Sequence, residues 1–327
     1  MRKGKKLFLT GATGMLGSHI LDYLLQEPLE EIVAIHHQNS PTCSKENLTW
    51  IRADLLRPDT YEFALEGVDT VIHSAGLVSY SATDRNMLYR VNEIATSDLV
   101  DCCLHAGVRR IIYISSASTL SRSSDPNYIG LDALGDPVFT SEYAKSKYKA
   151  ELQILRAEAE GMIVQIVHPA LILGFGDWTE GSNAVFRRVH QGLRYYPAGK
   201  IGVCTAENTA KWIVHLIRHD GEAKQSLVYD SVVHYKDLFA WIAEGMGKKA
   251  PSTLIGSSMI RIFRWTDNVV SKIKGVKSVM TSETEKQVST ILSYQKANST
   301  YMSLKREGLR DQLLRISGLY MIKKSNI

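Results

Sequence analysis

The chain has 327 residues, 44% of them hydrophobic, so it can bury a large core as one α/β unit or as two lobes. Its net charge of +5 is mixed along the chain and gives no indication of a nucleic-acid partner. No apolar run is long enough to span a membrane, and no apolar leader follows the basic N-terminus. Cys43, Cys102, Cys103 and Cys204 lack metal-ligand spacing, so we expect reduced thiols, no metal site and a cytoplasmic protein.

A glycine-rich turn lies between the first predicted strand, which starts at Lys6, and an amphipathic helix. Gly11 lets the chain turn sharply off the strand, and Gly14 lets backbone N–H groups approach a pyrophosphate. Gly17 lets the helix pack close to the sheet. The helix N-terminus would present free N–H groups and partial positive charge to the phosphates. The pattern predicts a dinucleotide site, and the alternative is an ordinary glycine-rich βα turn.

Further strands alternate with helices, which predicts a parallel, doubly wound α/β sheet of the Rossmann type. The predicted strands are Ile32–Ile35, a strand from Leu48 that ends in Asp54, a strand from Thr70 that exits through Ser74–Gly76, Arg110–Ile114, Ile163–Val167 and Ser226–Asp230. Helices are predicted at about 91–106, 141–160 and 206–219. Ligands are expected at the carboxyl ends of these strands.

Several residues at those strand ends are candidate cofactor contacts. The Asp54 carboxylate could accept from an adenine amino group, and the small residues Ser74–Gly76 leave room for a cofactor. Folds that prefer NAD usually place an acidic residue about 20 residues past the glycines. His36 and His37 stand there instead, with Lys45 nearby, which slightly favours NADP over NAD. Alternatively, the two histidines are simply loop residues.

Ser116, Tyr143 and Lys147 form the candidate catalytic set. Tyr143 and Lys147 share one face of a predicted helix. A tyrosine can exchange a proton with a substrate oxygen only if its pKa, about 10 unperturbed, falls toward neutrality. The Lys147 ammonium and an oxidised nicotinamide would favour the phenolate, and Lys147 could also hold ribose hydroxyls. Ser116 would donate a hydrogen bond to the carbonyl or alkoxide oxygen. The alternative is a surface-packing Tyr143 and a solvated Lys147.

Seven segments together resemble the extended short-chain dehydrogenase/reductase family, part of the NAD-dependent epimerase/dehydratase superfamily. They are Thr10–Gly17, Asp54–Leu55, His73–Gly76, Val91–Asn92, Ser115–Ala117, Tyr143–Lys147 and His168–Pro169. The resemblance covers about residues 5–250. Over Arg109–Ala117 the sequence is similar to the dihydroflavonol-reductase-like and 3β-hydroxysteroid-dehydrogenase-like branches of the family. It implies that Ser116, Tyr143 and Lys147 are catalytic. Glu207-Asn208 departs from the family, which usually has an aspartate in that segment, and the family often has arginine at His37 and His168.

The same resemblance implies a cofactor site. Its predicted residues are Gly11, Thr13, Gly14, Met15, Leu16, Gly17, His36, His37, Asp54, Leu55, Ser74, Ala75, Gly76, Asn92, Tyr143, Lys147, Pro169, Ala170 and Leu171. Residues 1–170 are predicted to form the Rossmann core, and residues 206–232 return to it. Residues 171–205 and 233–327 are predicted to form a smaller, mostly helical substrate lobe. Residues 258–276 show the pattern of a basic amphipathic helix that caps the substrate cleft, packs within the lobe or contacts a membrane surface.

Three functions remain open. The first is an NAD(P)-dependent oxidoreductase that transfers hydride between nicotinamide and a carbonyl or alcohol of a small, fairly apolar molecule. The second is a nucleotide-sugar epimerase or dehydratase with tightly bound NAD, in which Arg187, Arg188, Arg194 and Lys200 could contact a diphosphate. The third is a catalytically silent cofactor sensor, against which the presence of all three catalytic side chains argues. A homodimer is left open, and the sequence does not name the substrate.

Overall fold

A computed structural model describes residues 5–26, 31–39, 41, 43–178, 181–219, 223–256, 290–304 and 307–325. The predicted helix at 258–276 lies outside these residues. The strands are β1 (Lys6–Thr10), β2 (Glu31–His36), β3 (Leu48–Arg52), β4 (Thr70–His73), β5 (Arg110–Ile114), β6 (Tyr128–Ile129), β7 (Ile163–Pro169), β8 (Leu171–Leu173), β9 (Tyr195–Tyr196), β10 (Lys200–Thr205), β11 (Gln225–Val228), β12 (Ser231–His234), β13 (Thr253–Leu254) and β14 (Ser293–Tyr294).

The helices cover the sheet and build the C-terminal part. They are α1 (Met15–Leu24), α2 (Arg85–Leu88), α3 (Ala95–His105), α4 (Glu142–Ala159), α5 (Ala184–His190), α6 (Ala206–Arg218), α7 (Tyr235–Gly245), α8 (Ser299–Leu304) and α9 (Leu309–Ser325). A π-helical turn at Tyr89–Ile94 precedes α3. Among the residues described, no helix combines the length and the apolar character that crossing a membrane requires.

Seven strands form the central sheet in the order β3-β2-β1-β4-β5-β7-β11, and every neighbouring pair is parallel. The predicted doubly wound fold is therefore confirmed. The strand order reverses between β1 and β4, and ligands of such sheets bind in the crevice outside the carboxyl ends at this point. Gly11 follows β1 and Ser74 follows β4, so the glycine turn and the small-residue exit meet at this crevice.

Both faces of the sheet are covered because its strands are apolar on both sides. In β1, Leu7 and Leu9 pack with α1 and α6, whereas Phe8 points to the opposite face and packs with α3 and α4. All three side chains are fully buried. Burying each one contributes roughly 1.5–3 kcal/mol relative to exposure, which fixes β1 at the centre of the sheet.

The C-terminal part is mostly helical, as predicted. Helices α5, α7 and α9 enclose a separate apolar cluster that includes Trp178 and Phe186. A small sheet, β12-β10-β8, borders this cluster. Helix α9 begins at Leu309 and continues to Ser325. The chain after β7 thus contributes α6 and β11 to the central sheet and its cover, and α5, α7 and α9 to this separate cluster.

A buried carboxylate, Asp230, connects the end of β11 to the C-terminal helices. Its Oδ2 accepts from the backbone N–H of Thr205 at 3.0 Å and from Nδ2 of Asn208 at 3.1 Å. Its Oδ1 accepts from the hydroxyl of Tyr301, on α8, at 2.6 Å. Asn208 belongs to the segment that departs from the resembled family. Its amide can donate to Asp230, whereas a carboxylate there would repel it.

Candidate active site

The glycine turn is built by close backbone contacts. Gly11 adopts φ +71°, and a Cβ there would lie 2.6 Å from the backbone nitrogen of Ala75. A Cβ on Gly17 would lie 2.0 Å from the carbonyl oxygen of Gly11. By contrast, a Cβ on Gly14 would meet only that same oxygen, at 3.2 Å, and Gly14 is exposed. The turn is therefore packed on its inner side and open on the side where a pyrophosphate would approach.

The N-terminus of α1 supplies hydrogen-bond donors to this open side. Gly14 is the N-cap and offers no side-chain hydrogen bond to the first turn. The Leu16 side chain is in the core, so only its backbone can face a ligand. Met15 packs against Gly174 and Gly176. Backbone N–H groups without a capping side chain, together with the helix dipole, fit the binding of a dinucleotide pyrophosphate.

A buried chain of hydrogen bonds fixes the exit of β4. Thr10 Oγ1 accepts from the backbone N–H of Ala75 at 3.1 Å and contacts Nδ1 of His73 at 2.7 Å. Nε2 of His73 contacts Oγ1 of Thr96 at 2.9 Å. Burial, and then the nearby charge of Lys147, lower the pKa of His73 to about 3, so the imidazole is neutral. These contacts hold the Ser74–Gly76 exit against β1.

Asn92 lies in the π-helical turn behind this exit and is buried. Its Oδ1 accepts from the N–H of Leu77 at 2.8 Å, and its Nδ2 donates to the Leu77 carbonyl and to Ser146 Oγ. A Cβ on Gly76 would lie 3.3 Å from Asn92 Oδ1 and 3.6 Å from Nζ of Lys147. Both polar atoms of the Asn92 amide are thus engaged in hydrogen bonds within the protein, and these bonds position the loop beside Lys147.

The carboxyl ends of β2 and β3 bring the predicted adenosine-side residues together. Nε2 of His37 lies 3.9 Å from Oδ2 of Asp54. The other oxygen of Asp54 accepts from the N–H of Leu56 at 3.0 Å. The ring of His36 meets Trp50 edge-on at 6.0 Å. Strand β3 ends at Arg52, so Asp54 stands two residues beyond the strand in the loop rather than at its end. Leu55 packs onto the apolar core.

Tyr143 and Lys147 lie on the first turns of α4. The helix begins where the Ser141 hydroxyl accepts from the N–H of Ala144 at 3.0 Å. Nζ of Lys147 donates to the carbonyl of Ile114, at the end of β5, at 2.7 Å. It also lies 4.2 Å from the centre of the Tyr113 ring. Burial lowers the pKa of Lys147 to about 7, and Glu151 opposes that shift.

The pKa of Tyr143 is raised, not lowered. Burial is the main cause, the neighbouring Tyr80 adds to it, and a hydrogen bond with Ser116 acts in the opposite direction. The rings of Tyr80 and Tyr143 meet at 5.9 Å. In this structure the Lys147 ammonium donates to the Ile114 carbonyl, and Lys147 is not among the groups that lower the pKa of Tyr143.

Ser116 follows β5 directly, and its hydroxyl is close enough to Tyr143 to act on the pKa of that phenol. Its Oγ accepts from the N–H of Ser118 at 3.2 Å and contacts Ser118 Oγ at 2.8 Å. The structure thus brings Ser116, Tyr143 and Lys147 together at the carboxyl end of β5. Pro169–Leu171 lie at the carboxyl end of β7, where the N–H of Ala170 donates to Val228 at 2.9 Å.

Three tyrosines that sequence reasoning missed form a cluster next to Tyr143. Tyr80 packs on Tyr143, and Tyr235, at the start of α7, is buried close enough to Tyr80 and Tyr294 for both to raise its pKa after burial itself. The Tyr294 ring lies against Gly202, where a Cβ would approach it to 2.8 Å. These residues come from separate segments with no common spacing, so no local signal indicated them.

Comparisons with known proteins agree with this geometry. A model of the NAD dependent epimerase/dehydratase family matches residues 7–229. Sterol demethylase protein B of Methylococcus capsulatus is 32% identical over 174 residues, which cover 52% of this chain and 52% of that protein. The 2-alkyl-3-oxoalkanoate reductase of Stenotrophomonas maltophilia is 28% identical over 175 residues, with 53% and 52% covered. The chain thus matches about half the length of these curated relatives.

The solved structure of gox2253 has a similar fold. It matches this chain with a TM-score of 0.78 at 20% identity, over 98% of this chain and 99% of that chain. At such low identity the likeness shows the shared fold alone.

Proposed function

Because the chain belongs to the NAD dependent epimerase/dehydratase family, we propose that it is an NAD(P)-dependent reductase or dehydrogenase. Its substrate is a small, largely apolar molecule, and the reaction takes place at a carbonyl or alcohol group of that molecule. One observation carries the proposal: Ser116, Tyr143 and Lys147 meet at the carboxyl end of β5, and the glycine turn lies two strands away at the same edge of the sheet.

The cofactor site is proposed from the residues that fit a dinucleotide. The open side of Gly14 and the N-terminus of α1 would hold the pyrophosphate. Asp54 would accept from the adenine, and His37 beside it slightly favours a 2′-phosphate, hence NADP. Lys147 would hold the ribose hydroxyls. When bound, the nicotinamide supplies the hydride exchange.

The remaining steps are assigned to side chains of the chain. The Tyr143 hydroxyl would exchange a proton with the substrate oxygen, and Ser116 would orient that oxygen by donating a hydrogen bond. Residues 171–205 and 233–327 are proposed to form the substrate lobe. Tyr80, Tyr235 and Tyr294 would then give the cleft aromatic walls, which suit an apolar substrate. The names of the two relatives, which refer to a sterol and to an alkyl-oxoalkanoate, support this choice.

The test is a turnover assay with purified protein. NADPH or NADH is mixed with ketones of the sterol, oxoalkanoate and flavonoid classes, and the absorbance of the reduced nicotinamide is followed. Loss of absorbance in the wild type but not in Tyr143→Phe would support the proposal. Interconversion of nucleotide sugars with bound NAD and no net cofactor use would replace it with the epimerase alternative. Tight cofactor binding without turnover of either class would indicate a cofactor sensor.

A further inference from the structure

Glu151 is a buried carboxylate one helical turn beyond Lys147 on α4. It is 7% exposed, and a buried charge is costly unless it is paired and hydrogen-bonded. Its Oε1 accepts hydrogen bonds from the hydroxyl of Ser115 and from Thr119 Oγ1, the latter at 2.7 Å. Nδ1 of His168 lies 3.4 Å from the same oxygen. Glu151 is therefore held in place from three sides.

The partners of Glu151 flank the candidate catalytic serine. Ser115 precedes Ser116, and its N–H donates to the carbonyl of Val167 on β7 at 2.8 Å. Thr119 closes the turn, because its N–H donates to the Ser116 carbonyl at 3.1 Å and its hydroxyl contacts the same oxygen at 2.8 Å. One carboxylate thus binds both ends of the turn that carries Ser116.

Glu151 also lies one helical turn from Lys147, close enough for its charge to raise the pKa of that lysine. The other titratable groups around Lys147 are Tyr143 on α4, Tyr113 on β5 and His73 on β4. Burial raises the pKa of both tyrosines and lowers that of His73, so all three groups are neutral. His168, on β7 behind Glu151, is likewise buried, and burial lowers its pKa. Within the described part of the chain, Glu151 is the acidic group of this cluster.

We propose that Glu151 is a positioning residue: its carboxylate, one helical turn from Lys147, favours the ammonium form of that lysine and holds the Ser115–Thr119 turn so that Ser116 faces Tyr143. The inference rests on the proposed function, since it gives Ser116 and Lys147 their roles. Glu151 does not touch the reacting atoms and acts through these two residues.

The first test measures the charge of Lys147 directly and needs no substrate. Lysines labelled with ¹³C at Cε are titrated by NMR, and the Lys147 signal is assigned by its loss in Lys147→Met. Glu151→Gln should lower the Lys147 titration midpoint by about one pH unit, because an opposite charge favours the charged form. Glu158→Gln is the matched control: it lies on the same helix, half-exposed and paired with Lys224 at 2.6 Å, and should leave the midpoint unchanged. An unchanged midpoint in folded Glu151→Gln would overturn the proposal.

A second variant keeps the test decisive if Glu151→Gln does not fold. Glu151→Asp retains the charge on a shorter side chain, so the midpoint should fall by a smaller amount, and an unchanged midpoint would again overturn the proposal. The alkaline limb of the turnover–pH profile should move down together with the NMR midpoint. Absence of turnover in the wild type would contradict the proposed function while the NMR result still decides the role of Glu151.

Discussion

Lys147 is the residue whose surroundings change its chemistry most clearly. Burial lowers its pKa from 10.5 to about 7, so the ammonium is lost as the pH rises through neutrality. If this ammonium holds the cofactor ribose, the dissociation constant should increase between about pH 6 and about pH 8. Calorimetric titration at the two pH values checks this, with Lys147→Met expected to bind weakly at both. Equal affinity at both pH values in the wild type would contradict it.

The same residue affects stability with a definite sign. Between about pH 7 and pH 10.5 the unfolded chain binds a proton that folded Lys147 does not. The contribution of Lys147 to the free energy of unfolding therefore rises with pH across this window and is constant below it, where both states are protonated.

Tyr143→Phe removes one hydroxyl and keeps the ring that packs on Tyr80. Turnover should fall by about 10²–10⁴-fold, because only the proton-transfer group is lost, and cofactor affinity should remain. Tyr148→Phe is the control: its ring lies on the same helix against Phe139, and turnover should not change. Wild-type rates in Tyr143→Phe would refute the assigned mechanism.

A substitution at His37 tests the proposed preference for NADP over NAD. An aspartate at this position would repel a 2′-phosphate and could accept from a free ribose 2′-hydroxyl. We expect His37→Asp to reduce the affinity for NADPH relative to NADH by about tenfold, a difference of about 1.4 kcal/mol. Competitive binding of the two cofactors gives the ratio, and an unchanged ratio would remove His37 from the cofactor site.

At the scale of elements, two glycines of the turn between β1 and α1 have different roles: Gly14 is expected to matter for cofactor binding and Gly17 for folding. Gly14→Val should abolish cofactor binding and lower thermal stability less than Gly17→Ala does, because its Cβ would meet only the Gly11 carbonyl, at 3.2 Å. Gly17→Ala should destabilise the fold itself, because its Cβ would overlap that oxygen at 2.0 Å. Thermal denaturation and cofactor titration on both variants distinguish the two effects. Retained cofactor affinity in Gly14→Val would contradict the proposed pyrophosphate site.

Elements with a strong local pattern were predictable from the sequence. Strand β5 has the predicted bounds Arg110–Ile114, and α4 begins and ends within one or two residues of the prediction. The family resemblance is confirmed by the match over residues 7–229. The small sheet β12-β10-β8 was missed, because its strands pair across long stretches of chain and leave no periodic signal.

The sequence analysis also missed side chains that influence the candidate catalytic residues without belonging to that set, and the reasons differ. Glu151 lies at helical spacing from Lys147, so the sequence contained its signal, but the contacts with Ser115 and His168 depend on the folded sheet. The raised pKa of Tyr143 follows from burial and Tyr80, which helix spacing does not reveal.

At the scale of the whole molecule, Asp230 connects the central sheet to the C-terminal helices. Tyr301→Phe would remove the donor to its Oδ1 and leave the ring in the core. The free energy of unfolding should fall by about 1.5–3 kcal/mol, the usual contribution of a hydrogen bond to a charged group. Urea denaturation measures it, with Tyr128→Phe, whose hydroxyl contacts Asp132 at an exposed site, as a neutral control. Equal stability of Tyr301→Phe and wild type would contradict this role.

This connection also orders events during synthesis. Tyr301 follows Asp230 by 71 residues. At a translation rate of about 5–20 residues per second, the ribosome needs roughly 4–14 s to add them. Strand β11 can join the sheet in that interval, but the Asp230 carboxylate still lacks the hydrogen bond from the Tyr301 hydroxyl. The nascent sheet therefore reaches its full stability only when the C-terminal helices emerge, and chaperones or proteases have those seconds in which to act on it.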